Sequence, residues 1–311
     1  MKFRQHNYEV IPQSIVLDNS DESTQRFLSK FFKIQIEVGL DRQDYKCNRC
    51  ARPIGMVYGR SRLCKYDGLH YCLDCNQDDK AIIPARVIHN WDFSRYTISR
   101  ENKDKLDLVE NEPLINIKLA NPLLYQYNAS MKECLQLRTQ LFYLHAYLFT
   151  CQESVALDLR KQVWPSEHLF EHIHLYSLND LQQVGCPRRR RLFARKTNPP
   201  LSRTQVQAGT LFINLKKSIS LAKKHVLTCV LCSQKGFICE ICNNPRIIYP
   251  FDTDTTYRCD NCKTCFHINC IVQSGGQPAG TASSLKKTKH KPCPRCLRIY
   301  TRDKIQKIRM T

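Results

Sequence analysis

Six separate pairs of cysteines in this chain have two residues between the partners: Cys47/Cys50, Cys72/Cys75, Cys229/Cys232, Cys239/Cys242, Cys259/Cys262 and Cys293/Cys296. Two intervening residues let one tight turn present both sulfurs to one cation, and tetrahedral zinc takes four such N or S donors. Chance does not repeat that spacing so often among 18 cysteines. Six pairs imply at least three structural Zn²⁺ ions. The start, MKFRQHNYEVIPQ, has no apolar core of a secretory signal, so a reducing cytosol is expected. There clustered thiols are metal ligands and not disulfides.

The first site is assigned to Cys47, Cys50, Cys72 and Cys75, in the order C-x2-C-x21-C-x2-C. Cys64 and His70 lie inside its loop as alternates, although a small core thiol is the more ordinary role for Cys64. From Cys239 the order is C-x2-C-x16-C-x2-C-x4-H-x2-C-x22-C-x2-C. Ligands interleaved in this way suit a cross-brace, pairing Cys239 and Cys242 with His267 and Cys270, and Cys259 and Cys262 with Cys293 and Cys296. Cys229 and Cys232 then hold a third zinc with His225 and one further donor such as Cys265. Alternatively Cys229, Cys232, Cys239 and Cys242 form a local site and force another pairing; both partitions stand on the sequence. Every site is closed by four protein donors, which points to structure and not catalysis. His168, Glu171 and His172 match H-x-x-E-H, the pattern of inverted zinc peptidases, but the match is three letters long and no catalytic architecture surrounds it.

The elements that position these residues are mostly helical. Residues 1–43 are a leader, either poorly ordered or carrying an amphipathic helix at STQRFLSKFFKIQIEVGL. Residues 44–80 form an N-terminal knuckle or ribbon unit of short hairpins. Residues 81–225 are a helical segment: extended chain around IIPARVIHNWDFSRYTIS, helical periodicity from Pro122 to about Trp164, and a second helix from a Ser166 cap to Gly185. A basic loop at 186–204 and a helix from about Gln205 to His225 follow. Residues 226–300 are a C-terminal multi-zinc domain of PHD/FYVE-like, cross-brace type, and 301–311 a basic tail. The longest nearly apolar run, Leu141–Cys151, is far short of the roughly 20 residues that span a bilayer, so no transmembrane segment is expected.

Charge divides the chain. Residues 1–185 carry 23 basic and 23 acidic side chains, and residues 186–311 carry 25 and 5, so the whole excess of +20 lies in the second part. Zinc-bound thiolates absorb several of those charges. Arg188, Arg189, Arg190 and Arg191 could meet an anionic membrane at about 1 kcal/mol per residue. Nucleic acid is disfavoured, because the tract lacks interleaved aromatics for base stacking and no groove-reading motif is present. A RING ligase would need a further cysteine pair soon after Cys270, where IVQSGGQPAG stands. A PHD-type chromatin reader fits the ligand spacing better but wants an aromatic before the final pair, where HKPCPRC stands.

Taken together, QDYKCNRC, RLCKYDGLHYCLDC, IPARVIHNWDFSRY, HLYSLNDL, CVLCSQKGFICEICNN and YPFDTDTTYRCDNCKTCFHINC followed by CPRC resemble the Rubicon homology domain, most closely as it occurs in Rubicon and Pacer, over about residues 44–300. The resemblance implies a zinc-stabilised, mostly helical module that binds the GTP form of a late-endosomal Rab GTPase and regulates autophagosome maturation and endosome-to-lysosome traffic. Such an adaptor is not an enzyme, and is cytoplasmic and peripheral on late endosomes, lysosomes or autophagosomes. The resemblance does not explain the Arg188–Arg191 tract, nor does it say which direction the regulation takes.

Overall fold

Strand-forming residues occur here in runs of two or three between cysteines and turns, so every sheet among the described residues has two strands. The structure, a computed structural model, describes residues 27–185, 210–274 and 293–309, with side chains through 302 in the last segment. The chain forms two compact units that interleave in sequence: residues 1–124 with 174–208, and residues 125–173 with 209–311.

In the first unit, β1 (Ser61–Leu63) pairs antiparallel with β2 (His70–Cys72), Ser61 opposite Cys72. The connecting turn depends on Gly68 at φ 76°, where a Cβ would stand 2.2 Å from the Ile36 carbonyl oxygen. Buried Asp67 organises the turn by accepting hydrogen bonds from the Tyr71 hydroxyl (2.6 Å) and the Asn102 amide (2.7 Å). The leader docks at its end: Phe27 and Phe31 are buried, the Phe27 ring lies 5.1 Å from that of Tyr66, and the Tyr66 hydroxyl donates to the Phe27 carbonyl. Its helix stops by Ser29, and residues 34–39 run without helical structure; residues 1–26 lie outside the described part.

β3 (Lys80–Ile82) and β4 (Arg95–Thr97) form a second hairpin that encloses helix α1 (Pro84–Asn90). The extended reading of IIPARVIHN is thus corrected at its centre. Pro84 sits in the first helical turn, where its missing N–H is no loss and its fixed φ suits the helix. Helix α2 (Arg100–Val109), β5 (Ile115–Asn116) and the single turn α3 (Ile117–Ala120) follow, and Ile98, Leu106, Ile115 and Ile117 form core.

The chain then leaves for the second unit through α4 (Leu124–Tyr127), α5 (Ala129–Phe149), α6 (Glu153–Val163) and α7 (His168–Glu171). It returns as β6 (Leu175–Tyr176), which pairs with β5, and α8 (Leu178–Gly185). The single helix expected from Ser166 to Gly185 is therefore two helices with a strand between them. Ser177 and Asp180 restart the second by a reciprocal cap, each backbone N–H bonding the other's side chain at 2.9 and 3.0 Å.

In the second unit α5 packs along α9 (Thr210–Thr228). Leu215, Ile219, Ala222 and Val226, spaced four, three and four apart, are buried on α9, as are Leu141, Leu144 and Leu148 on α5. Asn128 caps α5 through the Met131 N–H. Helix α5 also carries the fully buried Arg138, whose guanidinium donates to the carbonyls of His168, which opens α7, and His172, just past its end. A one-turn helix α10 (Val230–Ser233), the hairpin β7 (Thr256–Arg258) with β8 (Cys265–His267), α11 (Ile268–Gln273) and α12 (Pro294–Arg309) complete the unit. The basic tail is thus helical as far as Arg309. Among the described residues no helix is long and apolar enough to cross a membrane.

His145 on α5 stacks on Phe170 (5.0 Å) and lies 4.2 Å from Phe149, with Arg160 over the Phe149 ring at 4.8 Å. Burial, and then the Arg160 charge, lower its pKa from 6.5 to about 4. The folded state prefers neutral imidazole, so this contribution to stability is complete above pH 6.5 and is lost as pH falls toward 4. Between pH 7.5 and 5.5 the wild type should lose about 1 kcal/mol more stability than His145→Leu, measured by urea unfolding. Parallel pH profiles would rule the effect out.

Candidate metal centres

Three of the cysteine pairs fold into one turn. In Cys47-x2-Cys50, Cys239-x2-Cys242 and Cys259-x2-Cys262 the next residue, Ala51, Asn243 or Lys263, has positive φ, and its N–H returns to the carbonyl of the first cysteine at 2.9 Å. Both sulfurs are left on one side. The other halves come from regular elements: Cys72 ends β2, Cys229 caps α10, His267 caps α11 and Cys293 precedes α12.

Among the described residues four groups of donors result, the atoms of each within 4.8 Å of one another. Cys47, Cys50, Cys72 and Cys75 form the first, with Cys50 and Cys72 sulfurs 3.7 Å apart. Cys151, His225, Cys229 and Cys232 form the second, with 3.7 Å from Cys151 to Cys229 and from Cys232 to His225 Nε2. Cys239, Cys242, His267 and Cys270 form the third, where His267 Nδ1 lies 3.5 and 3.8 Å from Cys242 and Cys270. Cys259, Cys262, Cys293 and Cys296 form the fourth, with sulfur separations of 3.8 and 3.4 Å. Donors about 2.3 Å from a tetrahedral zinc stand about 3.8 Å apart. A disulfide would bring two sulfurs to about 2.0 Å. These separations fit a shared cation.

The protonation balance points the same way. Burial pushes the Cys47 and Cys239 thiols up, but the backbone N–H groups of Cys50, Cys72 and Arg49 bring Cys47 to about 7, and those of Cys242, His267 and Ile241 bring Cys239 to about 6. In the same groups burial and then the neighbouring thiols raise Cys75 to about 12 and Cys270 to about 11. One thiol ionises readily and another resists, a conflict that a divalent cation removes by stabilising all the thiolates at once.

Further contacts fix the third and fourth groups. Arg295, between Cys293 and Cys296, bonds Thr264 (3.1 Å) and Glu240 (3.2 Å), and Glu240 lies between Cys239 and Cys242 and also pairs with Arg298. Asn261 donates to the Cys296 sulfur at 3.3 Å. Outer partners of this kind orient metal ligands.

The structure thus brings together the alternating pairs expected after Cys239 and joins His225 to Cys229 and Cys232. The further donor is Cys151, which in the sequence is the last residue of the apolar run Leu141–Cys151. The only signal for it was an unpaired cysteine just past a helix, where Thr150 back-bonds to the Ala146 carbonyl and α5 ends. Cys265, suggested for that place, is fully buried on β8, and burial pushes its thiol up to about 12. Cys64 is likewise buried outside the groups and takes a hydrogen bond from Asn102, while His70 meets Glu37 at 3.4 Å. The local site Cys229–Cys232–Cys239–Cys242 does not form. The H-x-x-E-H residues form no group either, since α7 ends at Glu171 and His172 is extended. Arg188, Arg189, Arg190 and Arg191 lie outside the described residues.

The family model of the Rubicon Homology Domain matches residues 62–197 and 202–301. Pleckstrin homology domain-containing family M member 3 of Xenopus laevis is 43% identical over 275 residues, and that of Homo sapiens 42%. Each match covers 88% of this chain but 32% and 31% of the relative, so the chain spans about a third of the curated relatives' length.

Native mass spectrometry should find four zinc ions per chain. Cys151→Ala should lose one of them, whereas Cys265→Ala should keep all four; retention of all four by Cys151→Ala would remove that residue from the site.

Proposed function

Because the chain belongs to the Rubicon homology domain family, we propose that it is a non-enzymatic trafficking adaptor. In this reading zinc-braced units bind a GTP-loaded late-endosomal Rab GTPase and regulate autophagosome maturation and endosome-to-lysosome traffic, from a cytoplasmic position peripheral to those membranes. The observation that carries it is the family match from residue 62, inside the first cysteine-rich region, through the helices and the second cysteine-rich region to residue 301. The non-enzymatic part is supported by the four-donor groups, each of which would close a zinc with no position left for water or substrate. The third and fourth groups pair in the alternating order of PHD/FYVE-like cross-brace domains, which is the fold proposed for the C-terminal zinc region.

A surface braced at its metal sites loses little conformational freedom on binding, so more of the contact energy appears as affinity. The helices between Pro122 and Gly185 are the proposed contact surface. In the second unit Tyr127, Leu157 and Trp164 stand exposed there, and aromatic anchors of this kind dominate interface energies. The Arg188–Arg191 tract is proposed to add attraction to anionic lipid through its charge.

A pull-down of the zinc-loaded protein against Rab GTPases in GTP-analogue and GDP forms tests the reading. Selective capture of a late-endosomal Rab in its GTP form is expected, and Trp164→Ala with Leu157→Ala should weaken it by about tenfold or more at unchanged zinc content. Capture that ignores the nucleotide would sink the effector role.

A further inference from the structure

Met56, Val57 and Tyr58 are 106%, 87% and 65% exposed, three consecutive apolar residues turned to solvent in the first unit. They form the tip of a hairpin closed by Gly55 and Gly59, whose backbones exchange hydrogen bonds of 2.8 and 2.9 Å. Both glycines have positive φ, 124° and 134°, a conformation that side chains rarely adopt, so the tight closure needs them. Ile54, directly behind, is buried and anchors the base. The tip is therefore held outward by its own backbone and by the knuckle that begins at Cys47.

Basic groups adjoin it. Arg60 follows Gly59 and is exposed, and β1 carries Arg62 into a shallow cavity of about 440 Å³ that Lys65, Lys80 and Arg95 also line. The single carboxylate there, Asp78, accepts from the Thr97 hydroxyl at 2.9 Å and pairs with Lys80 at 3.7 Å. Four cations against one carboxylate leave a strongly positive pocket. Arg60 and Arg62 are separated by about 7 Å of extended chain, and the hairpin that bears the tip leads directly into β1.

We propose that this face docks on a bilayer, with Met56, Val57 and Tyr58 entering the interface and the basic pocket receiving a phosphorylated anionic lipid headgroup. A protein partner is the poorer fit, since three side chains supply far less than the roughly 800 Å² per partner of a stable interface. A bilayer accepts so small an apolar tip, places tyrosine favourably at the headgroup level, and adds attraction for each nearby lysine or arginine. The site shares no residue with the helices proposed for Rab contact or with Arg188–Arg191, and does not depend on either.

Flotation of the zinc-loaded chain with phosphatidylcholine and phosphatidylserine vesicles, with and without a phosphatidylinositol phosphate, tests it. Strongest flotation is expected with the phosphoinositide. Met56→Ser with Val57→Ser should lower vesicle affinity by about tenfold or more, and Lys80→Gln with Arg95→Gln should remove the phosphoinositide preference, both at unchanged zinc content. Equal flotation of the tip variant, no flotation of the wild type, or binding of soluble inositol phosphate without vesicle binding would each overturn the proposal.

Discussion

Four donors held around one cation at fixed separations are the constraint on which the rest of this fold depends. The buried cluster around the third and fourth groups is Cys239, Cys259, Cys265, Cys293 and Cys296 with Ile248, Phe266 and Ile271 as its large apolar members. Such side chains contribute about 1.5–3 kcal/mol each, while ordering each backbone residue costs about 1–2 kcal/mol. Dozens of ordered residues therefore cannot be balanced by apolar burial alone. A structural zinc supplies about 10 kcal/mol or more, and two interleaved sites brace each other because Arg295 of one reaches Glu240 of the other.

The same constraint reaches into the helical body of the second unit. Cys151 stands just past the end of α5, and His225 lies in the last turn of α9, the two helices that pack along each other. Aromatic contacts reinforce this end. Tyr249 stacks on Phe251 at 4.9 Å, Tyr147 meets Phe251 edge-on at 5.6 Å, and the Tyr147 and Tyr249 hydroxyls bond the carbonyls of Lys235 and Ser233. Metal ligation and core packing thus meet where the helices end, so loosening one should loosen the other.

Much of the ligand set was legible because a two-residue spacing has one geometric use, and the alternating order after Cys239 admitted few pairings. Cys151 was not legible in that way. Coordination is closed in space, and its partner pair lies 78 residues downstream. Helix α1 was missed because a proline reads equally as the start of a helix or as a break in extended chain. The break between α7 and α8 was missed because HLFEHIHLYSLNDL keeps helical spacing throughout, while the pairing of Ile115 with Tyr176 and the burial of Arg138 against the α7 carbonyls are tertiary. Periodicity reports a local preference, and a buried guanidinium that needs carbonyl acceptors can override it.

The interleaving of the units bears on how function can be assigned to parts of the chain. The polypeptide passes between them after residues 124, 173 and 208. Cutting at residue 124 leaves β6 without β5, and cutting at residue 173 separates Ile117 from the His174 carbonyl that its N–H bonds. A cut near residue 208 removes Cys229, Cys232 and His225 from Cys151 and leaves one thiol of a four-donor group. Each truncation thus damages a unit it was meant to spare, through a lost strand partner or an incomplete metal site. Loss of a partner in a truncated chain therefore reports unfolding as readily as loss of a contact. Substitutions at exposed positions such as Trp164 or Met56, away from the donors and their capping bonds, leave both units whole and can separate the two causes.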